Sequence, residues 1–263
     1  MPDRPEPLIL VTNDDGILSP GIELLVDAAK RHGETWVVAP ETENSGVSHA
    51  ITLTRPLRVN QVGERRFALS GTPVDCVFIG INHILPARPA FVFSGVNRGP
   101  NLGFDVIYSG TVGAAMEGTI QRVQSAAFSM VSRGDFRFED IAAQVNEMVD
   151  RIVKNGVPDG ITLNVNIPDA TVSEFKGFKV TRLGNRQYSS EVLRRQDPRG
   201  GTYLWVGGSR VTNETSPEAD TGAVANGWAT ISPVTPDLMA REAMDRVAWA
   251  NVAAPARVVA VDE

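Results

Sequence analysis

The 263-residue chain is long enough for one large α/β domain or two small ones, and its 42% apolar and 21% charged residues are those of a globular protein. A net charge of -6 argues against nonspecific nucleic-acid or anionic-membrane binding as the main task, and a single cysteine, Cys76, excludes an intrachain disulfide and the multi-cysteine zinc sites. No apolar run reaches the ~20 residues of a spanning helix and the opening MPDRPEP lacks a signal-peptide core, so the cytoplasm is the expected location.

Residues 8–11 form an apolar run that reads as a buried strand and stops abruptly in Asn13, Asp14, Asp15 and Gly16. Two adjacent carboxylates at a strand's C-terminal end repel unless something positive lies between them, and in open α/β sheets that edge is where ligands bind. Ser19 and Pro20 then have the character of an N-cap and first helical residue, with Ile22, Leu25, Val26 and Ala29 on one face. Residues 35–39 read as a second strand, followed by a polar loop that carries Ser45 and His49. Two short strands are expected at 55–60 and 65–69, and Thr72-Pro73 opens a helix that ends before Pro86.

Residues 90–94 are the next strand, and GVNRGPNLG after it is a loop in which glycines admit close backbone approach to a ligand. Ser109, Gly110 and Thr111 precede a helix over 112–121 rich in small residues, of which Gly113, Ala114 and Ala115 would let it sit close against the sheet. Its N-terminus presents free N–H groups beside two hydroxyls, a phosphate-binding arrangement. A strand at 125–131, a strongly amphipathic helix over 138–154 and a strand at 161–167 complete an alternation that predicts a mostly parallel sheet covered on both faces. Past Pro168 the expectation changes to a β-rich annex with strands near 179–183, 203–207 and 229–234, closed by a helix over 236–250. The expected division is an α/β core over 1–175 and a β-rich region with a C-terminal helix over 176–263.

If the early strands are parallel, Asp14, Asp15, Ser45 and Asn97 open on one sheet edge. Two carboxylates, a hydroxyl and an amide carbonyl are hard oxygen ligands, suited to Mg²⁺ or Mn²⁺, and such a cation acidifies bound water for attack on a phosphate. Asn-Asp-Asp-Gly is also turn chemistry, and Ser or Asn in glycine-rich loops often only satisfies backbone groups, so from these residues alone both readings stand. His49 is open to a general-acid role or none, Cys76 reads as core, and Arg194, Arg195 and Arg199 read as a solvated or subunit-facing patch that could also hold phosphate.

The stretches LVTNDDGILSPGI, NSGVSHAITL, SGTPVDCV, SGVNRGPNLGFDVIYSGTVGAAMEG, LNVNIP and DPRGGTYLWVGG, spread over most of the chain, resemble the SurE family of survival-protein nucleotidases. The resemblance implies a Rossmann-like α/β core, a β-rich C-terminal part used in dimer or tetramer assembly, and hydrolysis of nucleoside 5′- and 3′-monophosphates, with short polyphosphate as a further substrate of some members. It implies one divalent cation on Asp14, Asp15, Ser45 and Asn97, and phosphate contacts at Asn101, Ser109, Gly110 and Thr111. Departures fall late, at Ala219-Asp220, Trp228, Ala229, Thr230 and Met239, away from the expected metal ligands. Attack by water with an aspartate as base is preferred over attack by Asp14 itself. The alternative reading is a nonenzymatic nucleotide-binding regulatory module that uses the same loops.

Overall fold

The computed structural model describes residues 6–206 and 211–251. In chain order the first half runs β1 (Leu8–Thr12), α1 (Pro20–Ala29), β2 (Glu34–Pro40), β3 (Val59–Gly63), β4 (Arg66–Leu69) and α2 (Pro73–Ile79), which continues as a π-helical turn over Gly80–Ile84. It goes on through β5 (Phe91–Arg98), the short α3 (Asp105–Tyr108), α4 (Gly110–Ile120), β6 (Gln124–Val131), α5 (Ala142–Asn155) and β7 (Thr162–Pro168). The rest comprises β8 (Gly177–Val180), β9 (Arg186–Tyr188), β10 (Val192–Gln196), β11 (Thr202–Val206), β12 (Val211–Asn213), α6 (Asp220–Ala225) and β13 (Trp228–Val234).

Nine strands make one sheet in the order β3-β4-β2-β1-β5-β6-β7-β13-β8, and two further pairs, β10-β11 and β9-β12, stand apart from it. The six strands from β4 to β7 are parallel, so the α/β expectation holds. From β1 the chain first winds outward through β2 to β4, then returns to place β5 on the other side of β1. The strand order therefore reverses between β1 and β5, and a crevice opens there at the C-terminal strand ends.

Alternation along β1 explains its burial on both faces. Ile9 and Val11 join the core with Ile22, Leu25 and Val26 of α1 and Val145, Val149 and Ile152 of α5. Leu10 faces the other way, into a cluster with Val77 of α2, Ala114 of α4 and Val92 of β5. Helices on both faces leave a strand no polar side, which is why residues 8–11 are continuously apolar. α1 begins as the sequence predicts: Ser19 accepts from the Gly21 N–H, and Pro20 occupies the first turn. At α2, Thr72 and Asp75 form a capping box. Cys76 is fully buried, and burial pushes its thiol pKa well up, which leaves it an apolar core side chain.

Three expectations change. β8 and β13, beyond residue 175, extend the main sheet, with β13 antiparallel to β7 and parallel to β8. Residues 236–250 form no continuous helix: 3-10 turns occupy Arg241–Ala243 and Asp245–Ala250, and Leu238 and Trp249 are 92% and 81% exposed. Met239, Met244 and Val247 are likewise more than half exposed, and a short helix without tertiary contacts is marginal. Gly113 does not sit on the sheet. A Cβ there would lie 2.8 Å from the Ser48 carbonyl oxygen, so that glycine brings the 48–49 loop against α4. Of the strand expected at 203–207, Gly207 lies outside the described residues. Arg194 and Arg195 are exposed on β10, and Arg199 is exposed on the turn after it.

The glycine that sets α4 on the sheet is Gly118, where a Cβ would stand 2.3 Å from Ser125 Oγ and 2.9 Å from Val92 Cβ. Gly118→Ala gains up to ~1 kcal/mol of helix propensity but overpacks a rigid contact at ~1–3 kcal/mol. A net loss of about 1–2 kcal/mol in unfolding free energy, seen as a lower urea midpoint, is expected. A midpoint equal to the parent's would refute the close-packing role.

Candidate functional site

The crevice at the β1/β5 reversal collects most of the residues singled out in the sequence. Asp14, Ser45, Asn97, Asn101 and Ser109 line one cleft of about 360 Å³, with Gly46, Arg98, Asp105 and Tyr188 at its sides. Three parallel strands supply them: the loop after β1 gives Asp14, the loop after β2 gives Ser45, β5 itself gives Asn97 near its end, and the loop after β5 gives Asn101.

Asp14 is buried, with 4% of its surface exposed, and its Oδ1 accepts from the Thr111 hydroxyl. Burial pushes its pKa up to about 6; the Thr111 hydroxyl pulls it back, and the neighbouring Asp15 pushes it further up. Gly110 makes the close approach feasible, since a Cβ there would already lie 3.0 Å from Asp14 Cβ. The Asp14 backbone carbonyl accepts from the Asn44 N–H at 2.7 Å, which ties the Ser45 loop to the end of β1.

Asp15 does not line the cleft that holds Asp14. Its Oδ2 accepts from the Arg98 N–H at 3.0 Å, and its side chain lines a neighbouring hollow with Glu41 and Glu43. Its pKa is raised by burial, against the pull of the Arg98 N–H and charge. Ser45 is exposed and donates to Glu43 Oε1 at 2.7 Å, while Asn97 donates from Nδ2 to the Gly99 carbonyl at 2.9 Å. Asn97 Oδ1 is thereby turned out as an acceptor. A register shift of β5 against β6 between Ser94 and Asn97 carries that residue to the rim of the sheet.

Ser109 caps α4, its Oγ accepting from the Val112 N–H at 3.0 Å, and Gly110 opens the helix. Thr111 is fully buried and does not line the cleft; its hydroxyl is committed to Asp14. Asn101 donates from Nδ2 to Ser129 Oγ at 2.8 Å, which leaves the second N–H of that amide for another acceptor.

Several residues that hold this geometry carried no role in the sequence reading. Asn166 Oδ1 accepts from the Asn101 N–H at 2.8 Å, and both Asn164 and Asn166 donate to the Asn101 carbonyl, at 2.8 and 3.1 Å. The signal was two asparagines at i and i+2 in the apolar stretch LNVNIP: that spacing puts both on one face of β7, where a buried amide must find a partner. Asp220, fully buried, accepts the N–H groups of Gly103, Gly184 and Thr221 at 2.8, 2.7 and 2.7 Å, which fastens the Asn101 loop to the C-terminal part. Arg186 pairs with Asp105 at 2.7 Å and the Tyr188 hydroxyl donates to the same carboxylate at 2.8 Å, closing one side of the cleft. These contacts join distant segments, and no local pattern announces them.

The donor set fits a hard divalent cation. Asp14 is a buried carboxylate with one hydroxyl on it, and Ser45 and Asn97 line the same cleft, so the oxygens it offers are carboxylate, hydroxyl and amide, the ligands of Mg²⁺ or Mn²⁺, with Asp15 in the adjoining hollow. Among the described residues no group of three or more His, Cys, Asp and Glu is placed to hold a metal, so a nitrogen- or sulfur-rich zinc site finds no support.

Without a cation, the native state holds the Asp14 proton more tightly than the unfolded chain does. Stability therefore falls as pH rises from the ordinary carboxylate range through about 6, and the loss is complete above it. Asp14→Asn in chelator at pH 7.5 should raise stability by ~2 kcal/mol relative to the parent, and the difference should vanish near pH 4. Denaturant melts at both pH values check this; a variant less stable than the parent at pH 7.5 would contradict it.

The family model described as "Survival protein SurE" matches residues 9–190. A "5'-nucleotidase SurE" of Myxococcus xanthus is 48% identical over 217 residues, 82% of each chain. One of Moorella thermoacetica is 43% identical, covering 88% of this chain and 91% of its own. The crystal structure of the SurE protein from Aquifex aeolicus superposes with a TM-score of 0.81 at 39% identity, over 92% of this chain and 99% of that one. The strand order, the polar crevice at its reversal and these likenesses agree: the chain belongs to the SurE family.

Proposed function

We propose that the protein is a phosphatase of nucleoside 5′- and 3′-monophosphates, with short-chain polyphosphate as a further substrate, that works with one divalent cation, Mg²⁺ or Mn²⁺. The observation that carries the reading is Asp14, buried beside Asp15 at the reversal of the sheet with its pKa raised to about 6, a charge that the protein alone leaves poorly balanced. The relatives named 5'-nucleotidase SurE support the substrate class. Asp14, Asp15, Ser45 and Asn97 would hold the cation, which would neutralise the carboxylates and draw charge from the phosphoryl oxygens.

The chain's own groups do the rest. The free N–H of Asn101 and the first turn of α4 at Ser109 and Gly110 orient the phosphate. Thr111 and Gly110 enter through Asp14: the hydroxyl fixes which way its carboxylate faces, and the glycine lets helix and carboxylate meet. A carboxylate oxygen of the aspartate pair takes the proton from an attacking water as its oxygen bonds to phosphorus and the ester P–O bond breaks. The leaving alkoxide takes its proton from solvent. No helix among the described residues is long and apolar enough to cross a membrane. The working form in this reading is a cytoplasmic homodimer or homotetramer.

Phosphate release from a panel of 5′- and 3′-nucleoside monophosphates, short polyphosphate and a generic aryl phosphate tests the reading. Release should need Mg²⁺ or Mn²⁺, stop in excess chelator and return when cation is added back. Asp14→Asn should lose about three orders of magnitude in kcat while remaining folded. Turnover near the parent rate in that variant would remove Asp14 from the mechanism. Nucleotide binding with no release under any cation would favour the regulatory-module reading instead.

A further inference from the structure

Ser109, Gly113, Met116 and Ile120 recur at helical spacing on one face of α4, and they line a second cleft of about 670 Å³. Phe104, Ile107, Leu183 and Val234 are among its other walls. Ser109 lines both this cleft and the polar one, so the two spaces meet at the N-terminus of α4. Phe104 and Ile107 are 55% and 60% exposed, an apolar surface left open directly beside the candidate phosphate position.

Ser48, Ser109, Thr235 and Asp237 also line the cleft, and His49 is the lining side chain braced on a buried carboxylate. His49 faces the cleft, and its Nε2 lies 3.0 Å from Oε2 of Glu117, a buried carboxylate whose other oxygen accepts from Gln121 Nε2 at 2.9 Å. A carboxylate only accepts, so the proton of this contact belongs to Nε2, and a neutral ring then presents Nδ1 as an acceptor. Gly113 seats the ring: a Cβ there would lie 3.2 Å from His49 Cα, so only glycine lets the loop lie this close to the helix. Neither the cation set nor the phosphate contacts use His49 or Glu117.

We propose that the apolar cleft takes the nucleoside half of the substrate, with His49, braced by Glu117, as the side chain that reads its polar edge; this rests on the nucleotidase reading above. With the phosphate at the first turn of α4, the ester oxygen leads along the helix. The face from 109 to 120 gives about 16 Å of wall, ample for a sugar and base. Flat apolar walls with a few fixed polar groups suit a heterocycle that has both a face and hydrogen-bonding edges, and the volume lies in the range of small-molecule pockets. A plain alkyl ester would make no use of an oriented acceptor.

The test uses the full chain with its cation. Met116→Trp fills the cleft, His49→Ala removes the ring, and Met116→Leu keeps the shape. In the first two, KM for a nucleoside 5′-monophosphate should rise about ten-fold while the inhibition constant of inorganic phosphate stays within about two-fold; Met116→Leu should match the parent. Unchanged KM in both, or equal losses of nucleotide and phosphate affinity, overturns the proposal. Unchanged KM with an altered oligomeric state in light scattering would overturn it in favour of a second copy as occupant. If Met116→Trp loses cooperative unfolding, Ile120→Asp at the half-exposed mouth replaces it and decides with His49→Ala. If the parent releases phosphate from no nucleotide, the nucleotidase reading fails. Calorimetric titration of nucleotide and of inorganic phosphate into parent and variants then still judges the cleft: weakening confined to the nucleotide supports it, and no difference overturns it.

Discussion

Asp14 is held at the end of the central strand with 4% of its surface exposed, beside a second carboxylate, and the elements around it are arranged as that burial requires. An ionised carboxylate out of water needs donors or an opposing charge. The first turn of α4 brings the Thr111 hydroxyl onto it, Gly110 removes the Cβ that would hold the helix off, and Asp15 turns its Oδ2 to the Arg98 N–H instead. These contacts moderate the desolvation without cancelling it, since the pKa still stands at about 6. A site tuned for folding alone would have an amide or an apolar residue there. Retaining the carboxylate leaves a local deficit of positive charge that a cation would fill.

The sheet topology decides which loops meet at this point. With β1 and β5 adjacent and their crossovers on opposite sides, the loops after both strands are left open, and the Ser45 loop is drawn in by the bond from Asn44 to the Asp14 carbonyl. The far wall is fixed from β7, where Asn164 and Asn166 take both backbone groups of Asn101. Breaking these buried bonds would leave amide groups unpaired, so the loop has little freedom to drift. Asp220 adds a further tie, holding three N–H groups from three segments. Parts of the chain far apart in sequence thus become one rigid wall.

The difference between what was legible in the sequence and what was not follows from the range of the interactions. The strand at 8–12, the caps at Ser19 and Thr72, and the α5 stripe are written in local patterns of period and propensity, and they stand where the residues indicated. Of Asp14, Asp15, Ser45 and Asn97, expected on one sheet edge if the strands are parallel, three line the cleft and Asp15 lines the hollow beside it. The orientation of Thr111 onto Asp14, the bond of Asp15 to the Arg98 N–H and the clamp on Asn101 depend on contacts between residues tens of positions apart, which no window of sequence reports. The failed expectation of a helix over 236–250 has a related cause. Its apolar residues imply something to pack against, yet among the described residues Leu238, Met239, Met244 and Val247 stay more than half exposed.

The overall charge of -6 bears on how an anion could reach such a site. At physiological salt, charges more than a Debye length of about 8 Å away are largely screened, so the acidic surface as a whole does little to repel a bound phosphate. What acts at contact distance is the first turn of α4 and Arg98 beside the cleft, and a cation on the aspartates would add to them. The same short range gives the aspartates a second effect. Without a cation their negative charge lies within the screening length of the phosphate position and opposes the ligand directly. Cation and phosphate should therefore bind with positive coupling, each neutralising part of what disfavours the other. Apolar contact along α4 is insensitive to salt and adds affinity that electrostatics at this site cannot supply alone.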